Sequence, residues 1–218
     1  MDETTFSFDA ADGVSVSAFR WTNVAPPKAI VQIAHGMGEH AARYRRLAEA
    51  LTAAGYVVYA NDHRGHGTTA GTPEGFGDLG AKGWAGLVSD LGELGVIARR
   101  EHPGLPLVVL GHSMGSFALQ GYLLDHSADV DAAVLSGTTA IDVIAPGIDP
   151  TKEVDLSAFN APFEPARTEY DWLSRDPDEV DKYLADPACG FGLNPAATAS
   201  MLDALADTGD AARLAGIR

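Results

Sequence analysis

Apolar residues in this chain fall into short, nearly unbroken runs, separated by stretches where they recur every third or fourth position. The runs cover residues 29–34, 56–60, 107–110 and 132–135. Strands that are apolar on both faces suit a parallel sheet covered by helices above and below. Between the first two runs, Tyr44, Leu47, Ala48, Leu51 and Ala54 form one helical face, and Gly55 stands where a C-terminal cap belongs. Trp84, Leu87, Val88, Leu91 and Leu94 form a second such face, and Pro103-Gly104 stops that helix. Residues 117–124 predict a third helix after the third run. Ahead of all these, residues 6–8 and 14–21 flank Asp12-Gly13 and predict an antiparallel hairpin. Strand and helix alternating in this way predict an α/β doubly wound sheet.

After Ser136-Gly137 the rhythm stops. Residues 140–200 contain no clear strand, many prolines, and scattered aromatics such as Phe159, Phe163, Tyr170 and Trp172. One helix is well signalled there, over 177–185: Asp176 as N-cap, Pro177 in the first turn and Glu179 closing a capping box. An insert of this length after a sheet strand suits a lid over the strand ends, where open α/β sheets bind ligands. A helical excursion covering the sheet edge is the plainer alternative. The expected division is a core over 1–138, a helical cap over 139–200, and a return to the core over 201–218.

Composition narrows the class of partner. A chain of 218 residues with 46% hydrophobic and 21% charged residues can bury a substantial single core. Its net charge of −15 opposes binding to nucleic acid and anionic membranes, which favours a small neutral substrate. The acidic start Met1-Asp2-Glu3 has no apolar run behind it, so neither a signal peptide nor stable membrane insertion is expected. Cys189 is the only cysteine, which excludes an internal disulfide and predicts a cytoplasmic location.

The chemistry centres on Gly111-His112-Ser113-Met114-Gly115, directly after the third apolar run and before a helix. Small residues two places either side of Ser113 let a sharp turn close and push its hydroxyl out at the end of the sheet. Such an elbow points to acyl transfer through a covalent Ser intermediate. A second loop, His35-Gly36-Met37-Gly38-Glu39-His40, follows the first run at the position where α/β-hydrolases supply one backbone N–H of the oxyanion hole. The expected donors are the amides of Met37 and Met114, each contributing roughly 3–4 kcal/mol to the transition state. A Gly-rich turn without catalytic meaning is the alternative.

These two loops, together with Arg43-Tyr44 and Asp62-His63-Arg64-Gly65-His66-Gly67, resemble the monoacylglycerol lipase and lysophospholipase branch of the α/β-hydrolases, also described as serine aminopeptidases. Residues 171–176 and 186–191 resemble bacterial members of that branch. The resemblance implies an α/β-hydrolase fold, Ser113 as nucleophile, Met37 and Met114 as oxyanion donors, and an apolar cap over an acyl channel. Gly36, His112, Trp172 and Leu173 are the expected substrate contacts, and no cofactor is expected. Ser116 departs from the pattern, standing where a third small glycine is usual.

The resemblance also implies an acid and a base placed after the cap, and the chain ends at Arg218 before either. Losing the base of a serine hydrolase costs about 10⁶ in kcat, while an oxyanion hole alone retains about 10³–10⁴ over water. The expectation is therefore a C-terminally truncated, weakly active or inactive hydrolase. Its strand at 132–135, which carries no edge protection, would be left open to self-association. Among the histidines present, His112 and His126 are poorly placed to serve as base. His35 and His40 could approach Ser113, although holding the oxyanion loop suits them better. Asp62 suits a turn-organising role, accepting backbone N–H groups. No cysteine or carboxylate pattern completes a zinc site from His35, His40, His63 and His66, so no metal is expected. Cys189 reads as a packing residue rather than a nucleophile. Three functions compete: a carboxylester hydrolase for glycerol monoesters or lysolipids, a peptidase or amidase with Glu153, Glu164 or Glu169 facing Ser113, and a non-catalytic acyl-binding fragment. An epoxide hydrolase would want Asp at position 113.

Overall fold

The computed structural model describes residues 1–23 and 25–218. A six-stranded sheet runs through the molecule, with strands β1 (Asp2–Asp9), β2 (Ser15–Thr22), β3 (Ile30–Ala34), β4 (Val57–Asn61), β5 (Leu107–His112) and β6 (Ala132–Ser136). Their spatial order is β1-β2-β4-β3-β5-β6. The first two strands form the expected antiparallel hairpin, and β2 continues antiparallel onto β4. The remaining contacts, β3 with β4, β3 with β5 and β5 with β6, are parallel. Every residue of β3 and β4 is buried, as their apolar runs require.

Among the described residues, seven α-helices accompany the sheet: α1 (Arg45–Ala53), α2 (Gly83–Glu101), α3 (Met114–His126), α4 (Ile141–Ile144), α5 (Pro177–Ala185), α6 (Pro195–Leu205) and α7 (Ala211–Leu214). Gly55, at φ +92°, turns the chain out of α1 in the left-handed conformation that a residue with a Cβ resists. The core divides by sheet face. Phe19, Trp21, Ile33 and Val58 pack with Ala41 and Ala48 on one side. Ile30, Tyr59, Trp84, Leu91, Val109 and Leu119 pack on the other.

No strand follows β6 among the described residues, in line with the break seen in the sequence. Helix α5 has the expected bounds, and Asp176 caps it by accepting the Asp178 amide at 3.1 Å. The capping box is not made: the Glu179 carboxylate turns to Arg46 (2.9 Å) and Lys182 (2.8 Å) instead. Two cations within reach outweigh a single neutral amide. The expected boundary at residue 200 runs through α6, whose Ala197, Met201 and Leu205 belong to the same core cluster as Ile30 and Trp84. Strand β6, apolar in sequence, forms an edge of the sheet, with Val134 and Leu135 exposed at 44% and 42%.

Candidate active site

The chain reverses direction across the sheet between β3 and β5, and this is the switch point where open α/β sheets place their ligands. Strand β3 leads through α1 to β4 on one side, while α2 carries the chain back to β5 on the other. Ala34 and Gly111 are register partners at the ends of these two strands. The segments that follow, His35–Gly36 and His112–Ser113, therefore emerge side by side.

Ser113 sits in the turn at φ 49°, ψ −121°, the one described non-glycine residue with a positive φ. A residue held there costs on the order of 1–3 kcal/mol and persists only where its surroundings enforce it. The neighbours do enforce it. A Cβ on Gly115 would lie 2.2 Å from the Ala34 carbonyl oxygen, and one on Gly111 would lie 2.5 Å from the Gly115 carbonyl oxygen. Only glycine fits at either position. The Ser113 amide donates to the Ser136 carbonyl at 2.9 Å, tying the turn to β6. Ser116, the departure from the glycine pattern, is buried and useful: its hydroxyl donates to the Ser113 carbonyl (2.6 Å) and shares a hydrogen bond with the Thr138 hydroxyl (2.8 Å).

Gly36 lies against Ser113, since a Cβ built on it would stand 3.3 Å from the Ser113 Cβ. Among the described residues, neither the Met37 amide nor the Met114 amide donates to a protein acceptor. His112 reaches sideways, its Nδ1 3.2 Å from the Ser136 hydroxyl. Trp172 and Leu173 lie half-buried, and the Trp172 ring packs on Phe159 at 5.1 Å while its amide donates to Asn160. The structure thus brings Gly36, His112, Ser113 and the loop of Met37 together, and packs Trp172 against Phe159 and Asn160.

Glu39 is the residue that sequence reasoning left without a role. Its Oε1 accepts the Gly36 amide (2.7 Å) and the Tyr44 hydroxyl (2.7 Å), and its Oε2 accepts Arg43 Nε (3.3 Å). Burial works against its ionisation, but the His35 ring, the Tyr44 hydroxyl and the Gly36 amide outweigh it and hold the carboxyl below its usual range. The spacing Gly-x-x-Glu was the available signal, a carboxylate three residues after an unpaired amide.

The histidines separate into distinct tasks. His35, His63 and His66 are fully buried and packed together, with ring centroids 4.1 Å (His35–His63) and 5.2 Å (His35–His66) apart. Both nitrogens of His35 are engaged: Nδ1 with the Gly36 carbonyl (2.7 Å), and Nε2 accepting the His63 amide (3.0 Å). Burial drives these rings toward the neutral form, His35 down to about 4 and His66 to about 3. His40 pairs with Asp186 at 2.9 Å, and His126 stacks on Tyr122 on the far side of α3. None of the histidines bonds the Ser113 hydroxyl among the described residues. Asp62 accepts the Ala41 amide (2.9 Å) and the Thr68 amide (2.8 Å), organising two loops at once.

The segment after β6 meets the same loop through α5. Tyr183 of α5 donates to the Gly38 carbonyl at 2.8 Å, and the Gly190 amide reaches that carbonyl at 3.0 Å. Arg43 lies over the Tyr183 ring at 5.0 Å from its centroid.

Residues 25–217 match the family model described as serine aminopeptidase, S33. The chain belongs to this α/β-hydrolase family. Within it, similarity runs to monoacylglycerol lipases. The chain is 38% identical over 199 residues to a monoacylglycerol lipase of Mycolicibacterium smegmatis, covering 90% of this chain and 69% of that protein. It is 30% identical over 205 residues to human monoglyceride lipase, covering 89% of this chain and 64% of that protein. Among solved structures, a thermostable carboxyl esterase from Bacillus coagulans in complex with glycerol aligns with a TM-score of 0.80 at 32% identity, over 95% of this chain and 73% of that one. This S33 member therefore spans about two thirds of the length of these lipases. No helix among its described residues is long and apolar enough to cross a membrane.

Proposed function

We propose that this protein is a serine carboxylester hydrolase acting on small neutral glycerol monoesters or lysolipids, with Ser113 as nucleophile. One observation carries the reading: Ser113 is held at φ 49° on a strand-to-helix turn, with Gly36 packed against it and the Met37 and Met114 amides free of protein acceptors. The Ser113 hydroxyl oxygen attacks the ester carbonyl carbon, and the carbonyl oxygen takes up negative charge in the tetrahedral intermediate. The two amides donate to that oxygen in a site that need not reorganise, which is the largest single contribution in such enzymes. The alcohol then leaves with a proton and water releases the acyl group from Ser113. Glu39 holds the Gly36 end of this loop, and Tyr183 holds the Gly38 end. Residues of the cap form the lid of an acyl channel.

The base in this reading is not among the seven histidines. His35 has no free nitrogen, His63 and His66 are buried against it, His40 is paired with Asp186, His102 bonds the Tyr59 hydroxyl at 3.0 Å, and His112 and His126 are engaged elsewhere. The names of the lipase relatives and of the glycerol-bound esterase support a glycerol ester as substrate.

An amidase is the second reading, favoured by the family's description as serine aminopeptidase. Glu153, Glu164 and Glu169, the residues that would receive a substrate amine, are all exposed, and Glu153 already accepts the Gly192 amide at 3.3 Å. Side-by-side hydrolysis of a monoacylglycerol and an aminoacyl anilide by the whole protein separates the two. The ester is expected to turn over faster, and Ser113→Ala to lose about 10⁶ in kcat. Faster anilide cleavage would reverse the assignment. Fatty-acid binding unaffected by Ser113→Ala, with no turnover of either substrate, would favour a non-catalytic binder.

A further inference from the structure

His40, Asp186 and Cys189 bring three different metal-ligating groups to one point outside the Ser113 centre. A ring nitrogen, a carboxylate oxygen and the thiol sulfur all lie within 4.8 Å of one another, and all three residues are half-buried. The local chain produces this convergence. After α5 the chain reverses in a turn closed by the Cys189 amide donating to the Asp186 carbonyl at 3.1 Å, which sets side chains three residues apart on one side. Asp186 Oδ1 accepts the Ala188 amide at 2.9 Å, and this fixes the carboxylate and leaves Oδ2 facing His40 Nε2 at 2.9 Å. The spacing Asp-x-x-Cys is that of the two-ligand knuckles of zinc sites, in which a tight turn offers ligands at positions i and i+3.

We propose that His40, Asp186 and Cys189 form a binding site for a borderline-soft divalent cation, zinc above all, with solvent as fourth ligand. The mixed nitrogen, oxygen and sulfur set selects against magnesium and calcium, which want oxygen alone. Zinc bonds of 2.0–2.3 Å place tetrahedral ligand atoms about 3.3–3.8 Å apart. The three ligand atoms, all within 4.8 Å of one another, stand close to this spacing. Burial pushes the Cys189 thiol up to about 12, so a bound ion displaces its proton; the carboxylate and the resulting thiolate then neutralise the ion, while the neighbouring Arg43 is paired with Glu39 at 3.3 Å. His40 lies at the end of the loop that carries Met37, and the other two ligands lie on the cap. A bound ion staples the cap to the oxyanion loop, 146 residues apart in sequence. No cysteine or carboxylate pattern in the sequence completes a zinc site from His35, His40, His63 and His66; the ligands that join His40 here come from a turn 146 residues later.

The test is titration of the purified protein with zinc, followed by calorimetry and thermal melting, and with cobalt, followed by absorption. One equivalent of metal is expected. At a hundredfold excess of zinc over its Kd the melting temperature should rise by about 5–10 °C. Cobalt should give a tetrahedral visible spectrum with a sulfur-to-metal band that Cys189→Ser abolishes. His40→Gln and Asp186→Asn should each weaken binding at least about tenfold, while His126→Gln leaves it unchanged. Lack of the sulfur-to-cobalt band in the unsubstituted protein would overturn the proposal, whatever the variants do. Equal affinity in the unsubstituted, Cys189→Ser and His40→Gln proteins would overturn it as well.

Discussion

A single added methyl group is the sharpest probe of the loop facing Ser113. Alanine at Gly36 would set its Cβ 2.9 Å from Glu39 Oε1 and 3.3 Å from the Ser113 Cβ, so the loop must shift away from the nucleophile. In the whole protein Gly36→Ala should lower kcat by about 10²–10³ with a much smaller change in KM, because the amide it displaces acts on the transition state. Steady-state kinetics on a monoacylglycerol measure this, and an unchanged kcat would remove Met37 from the proposed oxyanion hole. Gly115→Ala acts on stability instead. Its Cβ would lie 2.2 Å from backbone oxygen that cannot rotate away, at a cost of about 1–3 kcal/mol in urea unfolding. Equal midpoints would contradict the packing described. Ser113 and its flanking glycines were legible in the sequence because strand, turn and helix are contiguous there. Glu39 and Ser116 were not, since their roles depend on groups the chain brings in later.

At the level of elements, the buried imidazoles beneath the β3 loop make this fold acid-labile. His35 and His66 are neutral in the folded protein, at about 4 and 3, because burial disfavours their charged forms; the unfolded chain titrates them near 6.5. Between those values the unfolded chain binds more protons, so stability rises with pH across the window. It should be complete above pH 6.5 and decline from there toward pH 4. Urea unfolding at pH 7 and pH 5 measures the effect. Stability independent of pH over that interval would contradict the buried neutral cluster. The strands and helices α1, α2, α3 and α5 were legible to within a few residues, because both-face burial, 3.6-residue periodicity and capping residues leave direct marks, whereas α4, α6 and α7 were not. The Tyr183–Gly38 and His40–Asp186 contacts left none: they join segments about 146 residues apart, and no local pattern encodes such a meeting.

The whole molecule is tied together by a buried charge cluster near the N-terminal hairpin. Arg64, 4% exposed, donates to Asp90 (2.7 and 2.9 Å) and to Asp12 (2.6 and 2.8 Å), joining α2 to the hairpin turn. The Arg64 hydrogen bonds hold the Asp12 carboxyl down to about 2, whereas burial raises that of Asp90. Removing one partner leaves a half-paired cation out of water, so Asp90→Ala should cost about 3 kcal/mol in urea unfolding. A loss below about 1 kcal/mol would show that Asp12 alone satisfies Arg64. At the opposite edge of the sheet, β6 exposes Val134 and Leu135 beside unpaired backbone groups.

The account rests on an activated Ser113 hydroxyl, and fluorophosphonate modification tests it most directly. In the whole protein the probe should add one adduct, mapped by peptide mass spectrometry to Ser113, and Ser113→Ala should carry none. A folded protein that stays unmodified, or is modified at another serine, would contradict the assignment.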